Sequence, residues 1–129
     1  MTPNTHLGID PRLCGEPITL APGQATVELD TLPEMAADAH GLVHGGFIFG
    51  LADYAAMLAV NDPHVVLGAA ETRFTAPVRV GDAVVAVARR NAHEGRKPTL
   101  DVEARVGETV VFRGTFTTFV LDHHVLDPA

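Results

Sequence analysis

The stretch from Leu42 to Val60 constrains the fold most, because it is apolar on every face and carries one formal charge, Asp53. It lacks proline and is rich in alanine and leucine, which predicts a helix from about Gly45 to Val60, ended by Asn61-Asp62-Pro63. Its three glycines, one histidine and one aspartate argue against a membrane span. Because a helix that is apolar all round must be covered on most sides, we expect a sheet and a second copy of the chain to cover it.

The rest of the chain has the pattern of an antiparallel sheet. Residues 1–15 look irregular, residues 32–44 look like a loop, and alternating apolar and polar residues predict strands elsewhere. The predicted strands are 16–20, 24–31, 64–75, 83–90, 100–106 and 110–120, with a hairpin turn at 94–98. We therefore predict a single α+β domain over residues 1–129, in which a curved antiparallel β-sheet wraps one long central helix.

Composition excludes several classes of function. The net charge is −7 and the longest basic runs are pairs, so we expect no nucleic-acid partner. The chain has no serine for a serine nucleophile, and its seven histidines are too scattered to predict a metal site. A single cysteine, Cys14, and an N-terminus without a signal-peptide pattern predict a reducing, cytoplasmic location without membrane association.

Asp53 is unusual because aspartate is a poor residue for a helix interior and an unpaired buried carboxylate is costly. The residues that share its helix face are Phe49, Gly50, Ala56 and Met57, with Gly46 one turn further back. The small residues leave space beside the carboxylate and the large ones supply apolar walls, which is typical of a ligand pocket. The alternative is a structural aspartate that is capped or held in a salt bridge.

The other faces of the helix differ in side-chain size. Phe47, Leu51 and Leu58 form a bulky stripe suited to packing on a sheet. A second, mostly small stripe consists of Ile48, Ala52, Ala55 and Ala59. We expect this small stripe to support close packing in a homo-oligomer, either a dimer or a dimer of dimers.

Gly45 and Gly46 lie where the predicted helix begins. The first turn of a helix has unpaired N–H groups and a positive dipole end, and glycine lets a ligand approach them closely. An anionic tetrahedral intermediate can be held at such a site. The alternative is that the two glycines only permit a tight turn from loop to helix.

Residues 44–55 read His-Gly-Gly-Phe-Ile-Phe-Gly-Leu-Ala-Asp-Tyr-Ala. They resemble the signature of hot-dog fold thioesterases of the phenylacetate-pathway, or PaaI-like, type. Residues 73–82, with an aromatic residue and a proline before a Gly-Asp turn, add weaker support. The resemblance covers about residues 20–121 and implies a hot-dog fold acyl-CoA thioesterase that needs no cofactor.

The resemblance also implies roles for individual residues. Asp53 takes the position of the general base or nucleophile, and the N–H of Gly45, with Gly46 beside it, polarises the thioester carbonyl. Position 38, where the family commonly has a carboxamide, holds Asp38. Either Asp38 shares a proton with Asp53, or the loop register shifts and His40 or His44 supplies the polar group.

The predicted reaction is hydrolysis of a small to medium acyl-CoA thioester, for which one base and one oxyanion site suffice because a thiolate leaves readily. Phe49, Gly50, Tyr54 and Met57 are the predicted substrate-contact residues, and Arg73, Arg89, Arg96 and Lys97 are candidates for the CoA phosphates. Three alternatives remain open: a non-catalytic hot-dog module that binds or senses acyl-CoA, a hydratase of the same fold, and an acyl-carrier protein in place of CoA.

Overall fold

The computed structural model of the chain describes residues 1–92 and 97–128. Its helices are α1 (Pro11–Cys14), a 3-10 turn (Pro33–Met35) and α2 (Gly45–Val60). Its strands are β1 (Glu16–Ala21), β2 (Gln24–Asp30), β3 (Val65–Phe74), β4 (Ala83–Ala92), β5 (Thr99–Val106) and β6 (Thr109–Val120). The predicted helix has the observed bounds, and every predicted strand end lies within two residues of the observed one.

The six strands form one antiparallel sheet in the order β1-β2-β4-β5-β6-β3. The chain leaves β2 near one edge, runs through α2 and enters β3 at the opposite edge, so the sheet curves around the helix. This confirms the predicted α+β hot-dog arrangement. Part of the predicted hairpin turn at 94–98 lies outside the described residues, although the strands on either side of it pair antiparallel.

The core lies between α2 and the inner face of the sheet, where α2 packs chiefly over β2 and β4. Alternate residues of the central strands point inwards and are buried: Ala25, Val27, Leu29, Val84, Ala86, Ala88, Leu100, Val102 and Ala104. Many of them are alanine or valine, so the sheet approaches the helix closely. Towards β6 the larger rings of Phe112 and Phe116 fill the space.

The small stripe of α2 is buried within the chain, although the sequence analysis expected it to contact a second copy. Its four residues, Ile48, Ala52, Ala55 and Ala59, are 0–3% exposed within one chain. The expectation that this stripe supports contact with a second copy is therefore wrong, because the chain's own fold already covers it. Apart from its last residue, Val60, the part of the helix that stays partly exposed lies around Gly46, Phe49, Gly50 and Asp53.

Residues 1–15, which we call the N-terminal arm, pack against α2 rather than remaining irregular throughout. Asn61, which ends the helix with a left-handed φ of 54°, accepts a hydrogen bond from the Asn4 N–H (2.7 Å) and donates one to the Thr2 carbonyl (3.0 Å). Further along the arm, the His6 ring lies 6.4 Å from that of Tyr54. The arm thus covers part of α2, whereas the sequence analysis expected the sheet and a second copy of the chain to do so. Among the described residues, no helix has both the length and the apolar content of a membrane span.

Gly15 joins the arm to β1 in a conformation that only glycine adopts easily, with a φ of 102°. A Cβ at this position would lie 2.9 Å from side-chain carbons of both Leu51 and Val27. We therefore expect Gly15→Ala to lower the free energy of unfolding by about 2–4 kcal/mol, through backbone strain and overpacking.

Chemical denaturation of matched variants measures this effect. Gly8→Ala is the control, because Gly8 has no positive φ and a Cβ there would meet nothing within 4 Å. It should change the free energy of unfolding by no more than about 0.5 kcal/mol. Equal stabilities for the two variants would contradict the described packing of Gly15.

Candidate functional site

Asp53 lies in the interior of α2, half-buried, and its Oδ1 atom is buried without a hydrogen-bond donor among the described residues. Burial raises the pKa of this carboxyl from 3.8 to about 6. A carboxyl with such a pKa changes charge near neutral pH and can act as a general base there. This position matches the prediction of a carboxylate in a mostly apolar setting.

The surface beside Asp53 is formed by part of the predicted pocket. Phe49 is partly exposed, and its ring lies 5.6 Å from that of Phe116. A Cβ at Gly50 would meet nothing within 4 Å, so this glycine faces open space. By contrast, Met57 is fully buried and Tyr54 is 6% exposed, so neither presents a surface to a ligand in this conformation. The structure brings Phe49 and Gly50, but not Met57 or Tyr54, to the surface next to the carboxyl.

One neighbour of Asp53 was missed by the sequence analysis. Burial, together with the charges of Asp10 and Asp53, raises the pKa of the Cys14 thiol, and Cys14 in turn contributes to the raised pKa of Tyr54 after burial. Cys14 is therefore within electrostatic reach of both consecutive helix residues. No local pattern could have indicated this, because Cys14 is the last residue of the short helix α1, far from Asp53 in the sequence.

The first turn of α2 is partly accessible, since Gly46 is exposed and Gly45 is half-buried. Its N-cap residue, His44, makes no side-chain capping bond, and its ring packs edge-on against Phe47. A Cβ at Gly45 would lie 3.3 Å from the Phe74 ring, and one at Gly46 would lie 3.0 Å from Nε2 of His44. Unpaired N–H groups at this positive end of the helix can bind a carbonyl oxygen or an oxyanion.

Beside Gly45 lies an apolar groove of about 380 Å³. Its walls come from the loop before α2, the end of β3 and the segment that follows it: Leu42, Val43, Phe74, Thr75, Ala76, Pro77 and Val78, together with Ile48 and Val111. Leu42 and Phe74 are both exposed large apolar residues. The groove could hold the apolar part of a ligand whose carbonyl oxygen or oxyanion binds at the helix N-terminus.

One chain does not bring Asp53 together with Gly45 and Gly46. Seven or eight residues of helix separate them, which is about 10–12 Å along the axis. A carbonyl bound to the first N–H groups lies further still, beyond the end of the helix, and Asp53 does not line the groove beside Gly45. An aspartate side chain is too short to span that distance.

Asp38 is exposed and is bonded within its own loop. Its Oδ1 accepts hydrogen bonds from the backbone N–H groups of His40 (2.9 Å) and Leu42 (3.3 Å). Burial is the cause of the shift at Asp53, so Asp38 of the same chain is not needed to explain it. Asp38 thus shapes the loop before α2, and its sharing of a proton with Asp53 stays a prediction, as does a substrate contact by His40 or His44.

The candidate phosphate-binding cations are not gathered at this site. Arg73 and Arg89 line a broad groove of about 1460 Å³ on the outer face of the sheet, where acidic residues such as Asp101 accompany them. Lys97 lies with its Nζ 5.8 Å from the centre of the Phe119 ring, and Arg96 lies outside the described residues. Within residues 1–92 and 97–128, no group of three or more His, Cys, Asp or Glu residues is placed to hold a metal ion.

The chain is similar to parts of longer curated proteins. The methylthioribose-1-phosphate isomerase of Aquifex aeolicus is 51% identical over 119 residues, which are 92% of this chain and 26% of that protein. The transcription factor FapR of Shouchella clausii is 31% identical over 106 residues, which are 81% of this chain and 56% of that protein. The chain thus spans about a quarter of the first relative and about half of the second.

Solved structures match over nearly the whole fold. An uncharacterized protein from Pyrococcus horikoshii has 53% identity and a TM-score of 0.97, covering 98% of both chains. A mutant of the phenylacetic acid degradation protein PaaI from Thermus thermophilus has 32% identity and a TM-score of 0.78, covering 84% of this chain and 95% of that one. Residues 40–113, which include α2 and most of the sheet, match the sequence profile of the thioesterase superfamily. The chain therefore belongs to the thioesterase superfamily, with the hot-dog fold and the PaaI-like character that its helix motif predicts.

Proposed function

We propose that the protein hydrolyses small to medium acyl-CoA thioesters, with Asp53 as the catalytic carboxylate. The observation that carries this proposal is the buried and unpaired Oδ1 of Asp53, in a carboxyl whose pKa burial raises to about 6. A structural aspartate would be capped or ion-paired, and no such partner lies near this one among the described residues. Membership of the thioesterase superfamily supplies the class of reaction.

In the proposed reaction, ionised Asp53 removes a proton from a water molecule as the water oxygen attacks the thioester carbonyl carbon. The alternative is direct attack by the carboxylate, followed by hydrolysis of the anhydride. In both routes the carbonyl oxygen becomes an oxyanion, which the N–H groups of Gly45 and Gly46 stabilise. The C–S bond then breaks, and the thiolate leaves without needing a strong general acid.

We infer that each complete site combines two copies of the chain. The N–H groups of Gly45 and Gly46 lie about 10–12 Å along the axis from Asp53 of the same helix, so one thioester cannot contact both. A second copy can place its Asp53 opposite the first turn of this helix. The free edge of β3 offers ten residues for antiparallel pairing between copies, since β3 is an outer strand of the sheet.

The groove beside Gly45 supports an apolar acyl group of modest size. Its volume of about 380 Å³ and its apolar walls suit a short aliphatic chain or an aromatic ring. The partly exposed Phe49 adds apolar surface on the helix itself. The carrier that follows the sulfur, CoA or an acyl-carrier protein, would extend away from this groove.

A second candidate function is binding of an acyl-CoA without turnover. It is favoured by the relatives named transcription factor FapR, because that name describes a regulator and not an enzyme. Their similarity extends over 81–95% of this chain. The carboxylate of Asp38, in a position where the resemblance implies an amide, points the same way. Release of free thiol from a panel of acyl-CoAs, measured beside their binding, separates the two functions.

The first test of catalysis is the pH dependence of kcat/KM in the wild-type protein and in Asp53→Asn. Because Asp53 is protonated below its pKa, wild-type activity should fall about tenfold per pH unit below a midpoint near 6 and level off above it. Asp53→Asn should lose about 10²–10⁴-fold in turnover while binding substrate nearly as well. Full turnover by this variant would exclude the carboxylate as catalyst, and binding without turnover by the wild type would favour the second function.

Gly50 provides a test of the open surface beside Asp53. It sits in the helix interior, where alanine is more stable than glycine by about 0.5–1 kcal/mol, and a Cβ there would meet no atom of the described residues within 4 Å. We expect Gly50→Ala to raise the free energy of unfolding by about that amount. It should also lower activity, because the added methyl group occupies space that the substrate or the second copy would fill. Denaturation and thiol-release assays measure both. A variant that is stabilised, fully active and unchanged in assembly would show that nothing approaches Gly50.

The composite site can be tested by mixing two inactive variants. Gly45→Pro removes the N–H donor at the first helical position, where proline is well tolerated, while Gly45→Ala keeps the donor and serves as its control. If each site takes Gly45 from one copy and Asp53 from the other, random mixing of Gly45→Pro with Asp53→Asn should restore roughly a quarter of wild-type activity. No restoration after confirmed exchange of subunits would mean that both groups act within one chain, and a monomeric mass by light scattering would exclude the composite site altogether.

A further inference from the structure

We propose that Phe74 is a specificity-determining residue: its ring flanks the N–H donor of Gly45 and selects acyl groups that are unbranched at the carbon next to the carbonyl. This inference rests on the proposed function, because it takes an acyl thioester as the ligand. Phe74 is the last residue of β3, and its contacts with the sheet and with the helix N-terminus are the basis for this role.

Phe74 is an exposed apolar residue that is nevertheless held in place. Its side chain is 54% exposed, yet its ring lies 5.2 Å from that of the fully buried Phe112, at 77°, which is an edge-to-face contact. Phe112 in turn lies 6.3 Å from the buried ring of Phe116. The core therefore supports one side of the Phe74 ring, and the ring also lines the groove beside Gly45.

The backbone at Phe74 is fixed as well. Phe74 pairs with Phe112 in the ladder between β3 and β6. The next residue, Thr75, donates its N–H to the Val111 carbonyl (2.9 Å) and its hydroxyl to the Val110 carbonyl (2.7 Å). Both donors of Thr75 are thus bonded to the sheet, so this rim of the groove offers hydrocarbon to a ligand and the end of β3 is tied to β6.

The Phe74 ring closes one side of the first turn of α2. A Cβ at Gly45 would lie 3.3, 3.6 and 3.7 Å from three carbons of this ring. The Cα–Cβ bonds of a helix tilt towards its N-terminus, where the unpaired N–H groups also lie. The ring therefore flanks a carbonyl oxygen bound to the Gly45 N–H, and the gap between ring and glycine is no wider than about one methyl group.

This gap separates the first acyl carbon from those that follow it. The carbon next to the carbonyl must lie beside the Phe74 ring, whereas later carbons can extend over the groove floor, whose residues are 2–4% exposed: Val43, Ile48, Val78 and Val111. A methyl branch on the first carbon competes with the ring for space, because Phe112 and the fixed strand end keep the ring from retreating. A branch one carbon further along reaches the open groove of about 380 Å³.

Three isomeric five-carbon thioesters test this role: pentanoyl-CoA, 3-methylbutanoyl-CoA and 2-methylbutanoyl-CoA. In the wild-type protein, kcat/KM for the 2-methyl isomer should be at least about tenfold lower than for the other two. Phe74→Ala should bring all three within about threefold of one another, because it removes the ring and leaves the groove floor in place. The intrinsic reactivity of each thioester is the same in both measurements, so the change in this ratio reports the effect of the ring.

Phe119→Ala is the matched control. Phe119 is also exposed and its ring also lies against a glycine, Gly68 of β3, but it does not line the groove. This variant should keep the wild-type ratio. Phe74→Leu covers the case in which Phe74→Ala does not fold: it retains an apolar side chain at the strand end, but a leucine is shorter than the ring and should also relax the selection.

A wild-type ratio in the folded Phe74 variants overturns the inference. An equal relaxation in Phe119→Ala does so too, since it would reflect general loosening of the sheet. If light scattering shows that the Phe74 variants change their assembly while the ratio stays the same, the ring contacts a second copy instead of the acyl group, and the inference is again overturned.

Isothermal titration calorimetry with the same three thioesters separates this inference from the proposed hydrolysis. A wild type that releases no thiol overturns the hydrolysis, while a weaker Kd for the 2-methyl isomer that Phe74→Leu abolishes still supports the role of the ring. An active wild type whose preferences are the same in Phe74→Leu keeps the hydrolysis and overturns the role of the ring. A protein that neither binds nor hydrolyses these thioesters overturns both.

Discussion

The burial of one uniformly apolar helix is the constraint on which the rest of the structure depends. A surface helix needs one covered face, but α2 has apolar side chains all round and must be enclosed. The sheet meets this need by curving, with alanine and valine along the inner faces of β2 and β4 so that the helix lies close to them. The N-terminal arm covers a further side, and the helix stays partly open mainly from Gly45 to Asp53.

That partly open stretch contains the features that packing alone does not explain. Gly50 weakens the helix although no described neighbour needs the space beside it, and a buried oxygen of Asp53 has no donor among the described residues. Each residue lowers the stability of the fold, and alanine at either position would avoid that cost. Their presence on one helix face is coherent if that face receives a substrate, since a raised pKa makes the carboxyl a base near neutral pH and a missing side chain lets the thioester approach.

The length of the helix between Gly45 and Asp53 also separates the chemical groups. Its N-terminus offers N–H donors for an oxyanion, its interior offers a carboxylate, and a rise of about 1.5 Å per residue keeps them apart. A helix can orient both groups rigidly but cannot fold one back onto the other. The proposed pairing of two copies would overcome this separation and would give assembly a direct role in the proposed chemistry.

The sequence by itself determined the helix bounds, the strand positions and the α+β class, and it singled out Asp53 as the candidate catalytic residue. These depend on local signals: alternation, helix-breaking residues at 61–63, and one charge in an apolar run. Only the tertiary structure decided that the small stripe of Ala52, Ala55 and Ala59 packs within the chain, and that Met57 is closed off from the surface. It alone placed the N-terminal arm against α2, through Asn61 at one end and Gly15 at the other. Such contacts join residues that are distant in the chain, and periodicity specifies which face of a helix is buried but not which element buries it.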